Sequence, residues 1–216
     1  MTEWNANESA ERLAQLLAEA GQEALEPAVA EGFSRYLELL MRWNARTNLT
    51  AVRDAEGILR RHFVESIAVA RYLPVTCSSL LDFGSGAGFP GIPVALCRKD
   101  LTVTLAESQG KKAAFLMEAS RQLGIAFKVH AKRAEELKVR FDCVTLRAVD
   151  RMQAAVQSAA GLVASGGWLA PLTTLDEISL MKEAAGEGFQ WLDPQSLPGS
   201  DQRVLLLGKK QPVAVD

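Results

Sequence analysis

The spacing of apolar side chains changes between residues 73 and 79. Upstream, apolar positions recur every three or four residues, the period of one helix face. Residues 8–20 are charged and rich in Leu and Ala, and predict a first helix. Pro27 suits a first helical turn, where its missing N–H is no loss. Val29, Phe33, Tyr36, Leu37, Leu40 and Met41 follow at helical spacing. The polar stretch NARTNLTAV (44–52) predicts that this helix ends near Trp43. Asp54 is a candidate N-cap for a further helix, with Leu59, His62, Phe63, Ile67, Ala70 and Leu73 along one side and Pro74 beyond its end. These leucine and aromatic stripes are assigned to core packing.

Downstream, short apolar runs alternate with helical patterns. SLLDF (79–83), TVTLAES (102–108), AFKVH (126–130), FDCVTLRAV (141–149) and GWLAPLT (167–173) read as strands, with helices over 111–123, 151–164 and 176–186. FQWLDP (189–194) and QRVLLLGK (202–209) add two strands with no room for a helix between them. Repeated β-α units imply an α/β fold with a doubly wound, mostly parallel sheet. The short last connection implies a closing hairpin, so a seven-stranded sheet with an antiparallel last strand is expected. The chain divides into a helical N-terminal extension (1–76) and an α/β domain (77–216), expected to pack as one unit.

Composition narrows the class. With 216 residues, 48% hydrophobic and 23% charged, the chain can bury a sizeable core. Disorder, collagen and a disulfide scaffold are excluded on that profile. No apolar run approaches the ~18 residues of a membrane span, and the polar, acidic start lacks the form of a signal peptide. Cys77, Cys97 and Cys143 form no C-x-x-C pair. Reduced thiols and a cytoplasmic location are expected. The net charge of −2 hides an uneven distribution, about −6 over residues 1–40, +7 over 41–140 and −3 over 141–216. A cationic middle fits a phosphate-binding face, and equally a solvated basic surface.

The strongest chemical signal is LLDFGSGAGFPG (80–91) at the end of the first strand. Glycines there let the backbone turn sharply and approach a ligand closely. A G-x-G-x-x-G match at 86–91 starts late relative to the strand and contains Pro90, so the pyrophosphate reading fits poorly. S-adenosylmethionine has no pyrophosphate and needs backbone approach. Glu107 ends the second strand, 23 residues past Gly84, where its two oxygens can accept both ribose hydroxyls. Asp82 can orient the loop or meet the ligand's ammonium group. Loop, acidic strand end and closing hairpin together favour S-adenosylmethionine over a nicotinamide dinucleotide.

The fourth strand ends Thr145-Leu146-Arg147-Ala148. It has no Asn/Asp-Pro-Pro-aromatic run to hold an exocyclic amine and no Pro-Cys to attack a pyrimidine. Cys143 reads as core. A nucleophile with its own lone pair, such as guanine N7, needs neither device. In-line methyl transfer to it needs alignment and water exclusion and no general base, so no catalytic base is expected. His62 and His130 have no acid or cysteine at ligand spacing, so no metal is expected. His130 reads as structural. His62 follows Arg60 and Arg61, and RNA contact and ordinary surface weigh equally for it.

NLTAVRD (48–54), RHFVES (61–66), LLDFGSGAGFPGIPVAL (80–96) and LRAV (146–149) closely resemble the bacterial small-subunit ribosomal RNA guanine-N7 methyltransferases, formerly called glucose-inhibited division protein B. The resemblance covers most of residues 35–210. It implies a class I, Rossmann-like S-adenosylmethionine-dependent methyltransferase fold with a helical extension, acting on guanine 527 of 16S ribosomal RNA. It implies cofactor contacts at Gly84, Phe89, Ala134, Glu135 and Arg147, with Gly86 in the same loop. The Ala134–Glu135 pair would edge the adenine through backbone groups. Arg147 is assigned to orientation or substrate contact, since a guanidinium is no base; the alternative is a salt bridge to Asp142 or Asp150. By similarity Asn48, Arg60, His62, Arg133 and Arg203 would contact RNA, with Lys111 and Lys112 as phosphate partners. No separate RNA-binding module is recognisable, so the RNA is expected within the 30S subunit or an assembly intermediate, met by a monomer. The rivals are a methyltransferase for another RNA, a protein or a small molecule, and a non-enzymatic RNA-binding assembly factor.

Overall fold

A computed structural model describes residues 6–212. Helix α1 (Ala6–Glu19) packs on α2 (Pro27–Thr47), which begins on Pro27 as its sequence predicts. It runs past Trp43 to Thr47 and closes on Asn48 in the left-handed conformation, φ 49°. The extension has a cause in Asn44, which is buried within the helix. Its amide donates to Val52 O and accepts from Thr50 N–H, both at 2.9 Å, so this polar residue braces the following loop without ending the helix. Asp54 caps the next helix through the Gly57 N–H at 2.7 Å. That helix is α3 (Ala55–Ile58), a wider π turn (Leu59–Phe63) and α4 (Val64–Tyr72) in unbroken succession.

The sheet comprises β1 (Ser79–Phe83), β2 (Thr102–Ala106), β3 (Lys128–His130), β4 (Phe141–Arg147), β5 (Val163–Thr174), β6 (Phe189–Trp191), β7 (Gln195–Ser196), β8 (Arg203–Leu205) and β9 (Gly208–Lys210). Between them run α5 (Gly91–Cys97), α6 (Gly110–Leu123), α7 (Met152–Leu162) and α8 (Ile178–Ala185). The spatial order is β3-β2-β1-β4-β5-β8-β7, with β9 pairing both β5 and β6. The first five strands are parallel; β8 and β9 lie antiparallel to β5.

Among the described residues nine strands therefore replace the expected seven, because each of the last two is interrupted. The register of β5 with β8 and β9 is continuous across the gap. The gap falls opposite Pro171, which has no N–H for the ladder, and only its carbonyl is used, by Leu206 N–H at 3.0 Å. Pro194 lies in the other interruption, where the pairing of the edge strand shifts by one residue.

Side chains alternate across the sheet with period two. Leu80, Leu105 and Cys143 face a core shared with α2, α4, α5 and α6, whereas Leu81, Phe83, Val144 and Leu146 face α7 and α8. By the same parity Asp82, Thr145 and Arg147 fall on the first face, towards the N-terminal helices. Arg203, adjacent to Val204 of the second core, does too. Among the described residues no helix is long and apolar enough to cross a membrane.

Candidate active site

The carboxyl ends of β1, β2 and β4 meet the N-terminal helices at one edge. The loop after β1 turns on Gly84, Gly86 and Gly88, all with positive φ (69°, 58° and 95°), which L side chains rarely adopt. Three ties made by the protein itself hold it. Glu107 accepts Gly86 N–H through Oε2 at 3.0 Å and Gln109 N–H through Oε1 at 2.7 Å. Asp82 accepts Gly91 N–H at 3.1 Å and the Thr145 hydroxyl at 3.1 Å. Tyr36, from α2, donates its hydroxyl to Ala87 O at 2.6 Å. Burial pushes the Asp82 carboxyl up to about 6, against the pull of its hydrogen bonds and of Arg147. Burial also raises Tyr36 well above the usual phenol range.

The cradle suits a ligand that needs close backbone approach. A Cβ at Gly86 would meet nothing nearer than Gly84 O at 3.9 Å, so the loop is open there. At Gly84 a Cβ would press on Val149 at 3.0 Å, which packs the loop after β4 onto this one. Each Glu107 oxygen accepts one backbone N–H and retains a lone pair for a hydroxyl. Phe89 is buried beneath the loop, its ring 4.7 Å from that of His62 and 5.5 Å from that of Tyr36. Ala134 and Glu135 form a short 3₁₀ turn after β3, with Ala134 buried and Glu135 exposed.

A second cluster adjoins the loop. Glu65, 1% exposed on α4, pairs with Arg147 Nη1 at 3.2 Å and Arg203 Nε at 2.8 Å. Arg147 Nη2 reaches His62 Nδ1 at 2.8 Å and Arg61 O at 3.3 Å. A guanidinium only donates, so Nδ1 is the acceptor and the imidazole proton sits on Nε2. That proton points at the Thr50 hydroxyl, 2.9 Å away. Burial and the neighbouring Arg147 charge push His62 down to about 3, so the ring is neutral at ordinary pH. Arg147 pairs with neither Asp142 nor Asp150. Asp142 lies five residues earlier on the opposite face and binds Ser78 and Ser79.

The structure thus brings Gly84, Gly86, Phe89, Glu107, His62, Arg147 and Arg203 to one edge. Asn48 is exposed and accepts from Arg53 at 2.6 Å. Arg60 turns towards α1, paired with Glu56 at 2.6 Å and Glu19 at 3.2 Å. Lys111 and Arg133 are exposed, Lys112 half-buried; Arg133 O meets His130 Nε2 at 3.1 Å. Cys143 is fully buried core. Sequence reasoning gave Glu65 no role and placed Tyr36 in the core stripe without its bond to the loop. The signal for Glu65 was a single acid in the helical run Phe63–Ala70, whose other residues are apolar apart from Ser66.

A parallel sheet with a closing antiparallel strand, a glycine loop after β1 and an acid ending β2 defines a class I methyltransferase, whose cofactor is S-adenosylmethionine. Solved methyltransferases share the fold. One from Pyrococcus furiosus superposes with a TM-score of 0.58 at 14% identity, covering 83% of this chain and 98% of that one. The Thermus thermophilus 16S rRNA N2 G1207 methyltransferase, in complex with AdoMet and guanosine, gives 0.55 at 16% identity, covering 72% and 41%. The family model of rRNA small subunit methyltransferase G matches residues 29–190, and the chain belongs to that family. Ribosomal RNA small subunit methyltransferase G from Stenotrophomonas maltophilia (strain K279a) is 41% identical over 181 residues, covering 81% of this chain and 84% of the relative. That from Halorhodospira halophila is 42% identical over 179 residues, covering 81% and 83%.

Proposed function

We propose that this protein transfers a methyl group from S-adenosylmethionine to N7 of guanine 527 in 16S ribosomal RNA, as a cytoplasmic monomer meeting the 30S subunit or an assembly intermediate. The observation that carries the reading is the convergence of glycine loop, Glu107 and the Arg147–Arg203 pair on one edge of a chain of this family.

In this reading Gly84, Gly86 and Phe89 line the cofactor, Glu107 accepts the ribose hydroxyls, and the backbone of Ala134 and Glu135 edges the adenine. Arg147 flanks the mouth. The bound cofactor supplies a methyl activated on a positively charged sulfur. Guanine N7 brings its own lone pair, so the chain's residues have to align the base and exclude water. The Phe89 and His62 rings, in tilted contact, close the protein side against solvent. Asn48, Arg60, His62, Lys111, Arg133 and Arg203 are the proposed RNA contacts. Arg203 holds Glu65 through Nε, which leaves the Nη edge of its fork for a phosphate. Arg60 would exchange the exposed Glu19 and the half-buried Glu56, which Arg12 also holds, for phosphate.

The test is transfer of labelled methyl from S-adenosylmethionine to 30S particles lacking the modification, followed by mapping of the label. Label at N7 of guanine 527 is expected. Cofactor binding without transfer to 16S RNA would move the reading to another substrate, and absence of cofactor binding would sink it.

A further inference from the structure

Buried Arg–Glu–Arg units are commonly no more stable than apolar packing of the same volume. Glu65 illustrates the point. Neither of its oxygens has a well-angled hydrogen bond, and burial raises its carboxyl despite two guanidinium neighbours. Ser66, next to it, is fully buried with its hydroxyl unpartnered. Stability alone does not account for a carboxylate at this position. Geometry does: Arg147 on β4 and Arg203 on β8 would repel each other across β5 without a shared anion, and Glu65 meets both. His62, three residues earlier on the same helix, fixes the other amino group of Arg147.

We propose that Glu65 and His62 are positioning residues for methyl transfer. Carried on the N-terminal helix, they hold Arg147 and Arg203 as a rigid pair at the sheet edge, and so set where the target nucleotide's backbone rests against the cofactor loop. The inference builds on the reading of this edge as the RNA methylation site. It assigns the helical extension a part in the chemistry, through the buried Glu65 and through the bond that His62 makes to Arg147 in addition to its proposed RNA contact.

The experiment compares Glu65→Gln, Glu65→Asp, His62→Asn and His62→Gln in the full-length chain. For each, kcat and KM with unmodified 30S particles, cofactor affinity by calorimetry and thermal unfolding are measured. Glu65→Gln is expected to lower kcat/KM by about 10-fold to 100-fold, mainly through KM for the particle, with cofactor affinity less affected. Glu65→Asp should restore part of the loss, because it keeps the charge. An Asn amide oxygen can stand in for imidazole Nδ1 and a Gln amide for Nε2. Only His62→Asn therefore keeps the bond to Arg147, and it should be at least about fivefold more active than His62→Gln. Both lose the ring contact with Phe89, so a purely structural role predicts equal losses. A Glu65→Gln enzyme within about twofold of wild type would overturn the proposal. If that variant does not fold, the His62 pair decides, and equal activities overturn it. Inactive wild-type protein would instead count against the methylation reading.

Discussion

Glu107 Oε2 accepts the backbone N–H of Gly86 across 3.0 Å, joining the end of β2 to the loop that leaves β1. One carboxylate therefore shapes the loop and faces the space in front of it. Glu107→Ala removes both contributions. Calorimetry with S-adenosylmethionine should show affinity reduced at least about tenfold, the scale of a lost charge-assisted hydrogen bond or two. Unchanged affinity would remove Glu107 from the ribose assignment.

Arg203→Ala should separate RNA from cofactor. Its phosphate contact predicts a rise in KM for 30S particles, a shallower dependence of that KM on salt, and cofactor affinity within about threefold of wild type. A loss confined to cofactor binding would contradict the assignment.

Gly91 sits against Asp82 so closely that a Cβ would lie 2.7 Å from Oδ2 and 2.9 Å from Asp82 Cβ. It would crowd Leu105 Cδ2 more closely still, and both side chains are fully buried. Gly91→Ala is expected to cost about 1–3 kcal/mol, the range for overpacking, measured by urea unfolding. It should also weaken the cofactor, because the Asp82–Gly91 bond shapes the loop.

Two buried groups give opposite pH signatures. Asp82 titrates near 6 in the folded protein, above its usual range, so its contribution is fully favourable at low pH and is lost as pH rises through 6. Relative to Asp82→Asn, the wild type should lose roughly 2–3 kcal/mol between pH 4 and pH 8. His62, pushed down to about 3, works in reverse. Its contribution is present above the unfolded value near 6.5 and is lost as pH falls towards 3. Relative to His62→Gln, the wild type should weaken on acidification below pH 6.5. Urea unfolding of the three proteins across pH 4–8 checks both slopes.

Much of this architecture was legible in residue order. The five parallel strands fall on the apolar runs read from the sequence, Asp54 caps its helix, and the glycine loop follows the first strand. What escaped has local causes. Asn44 looks like a turn former and instead braces a loop through its side chain from inside α2. Pro171 interrupts a ladder whose register never changes. The partner of Arg147 lies 82 positions earlier, at Glu65, and no local pattern reports such a pairing.

The Tyr36 hydroxyl on Ala87 O bears on how a ligand is received. With Glu107 and Asp82, it means the loop loses its conformational freedom during folding, before any ligand arrives. Association then has little ordering entropy left to oppose it, and the receiving surface behaves as a preformed mould. Complex formation should proceed without a slow closing phase, and the free and bound loops should superimpose within about 1 Å.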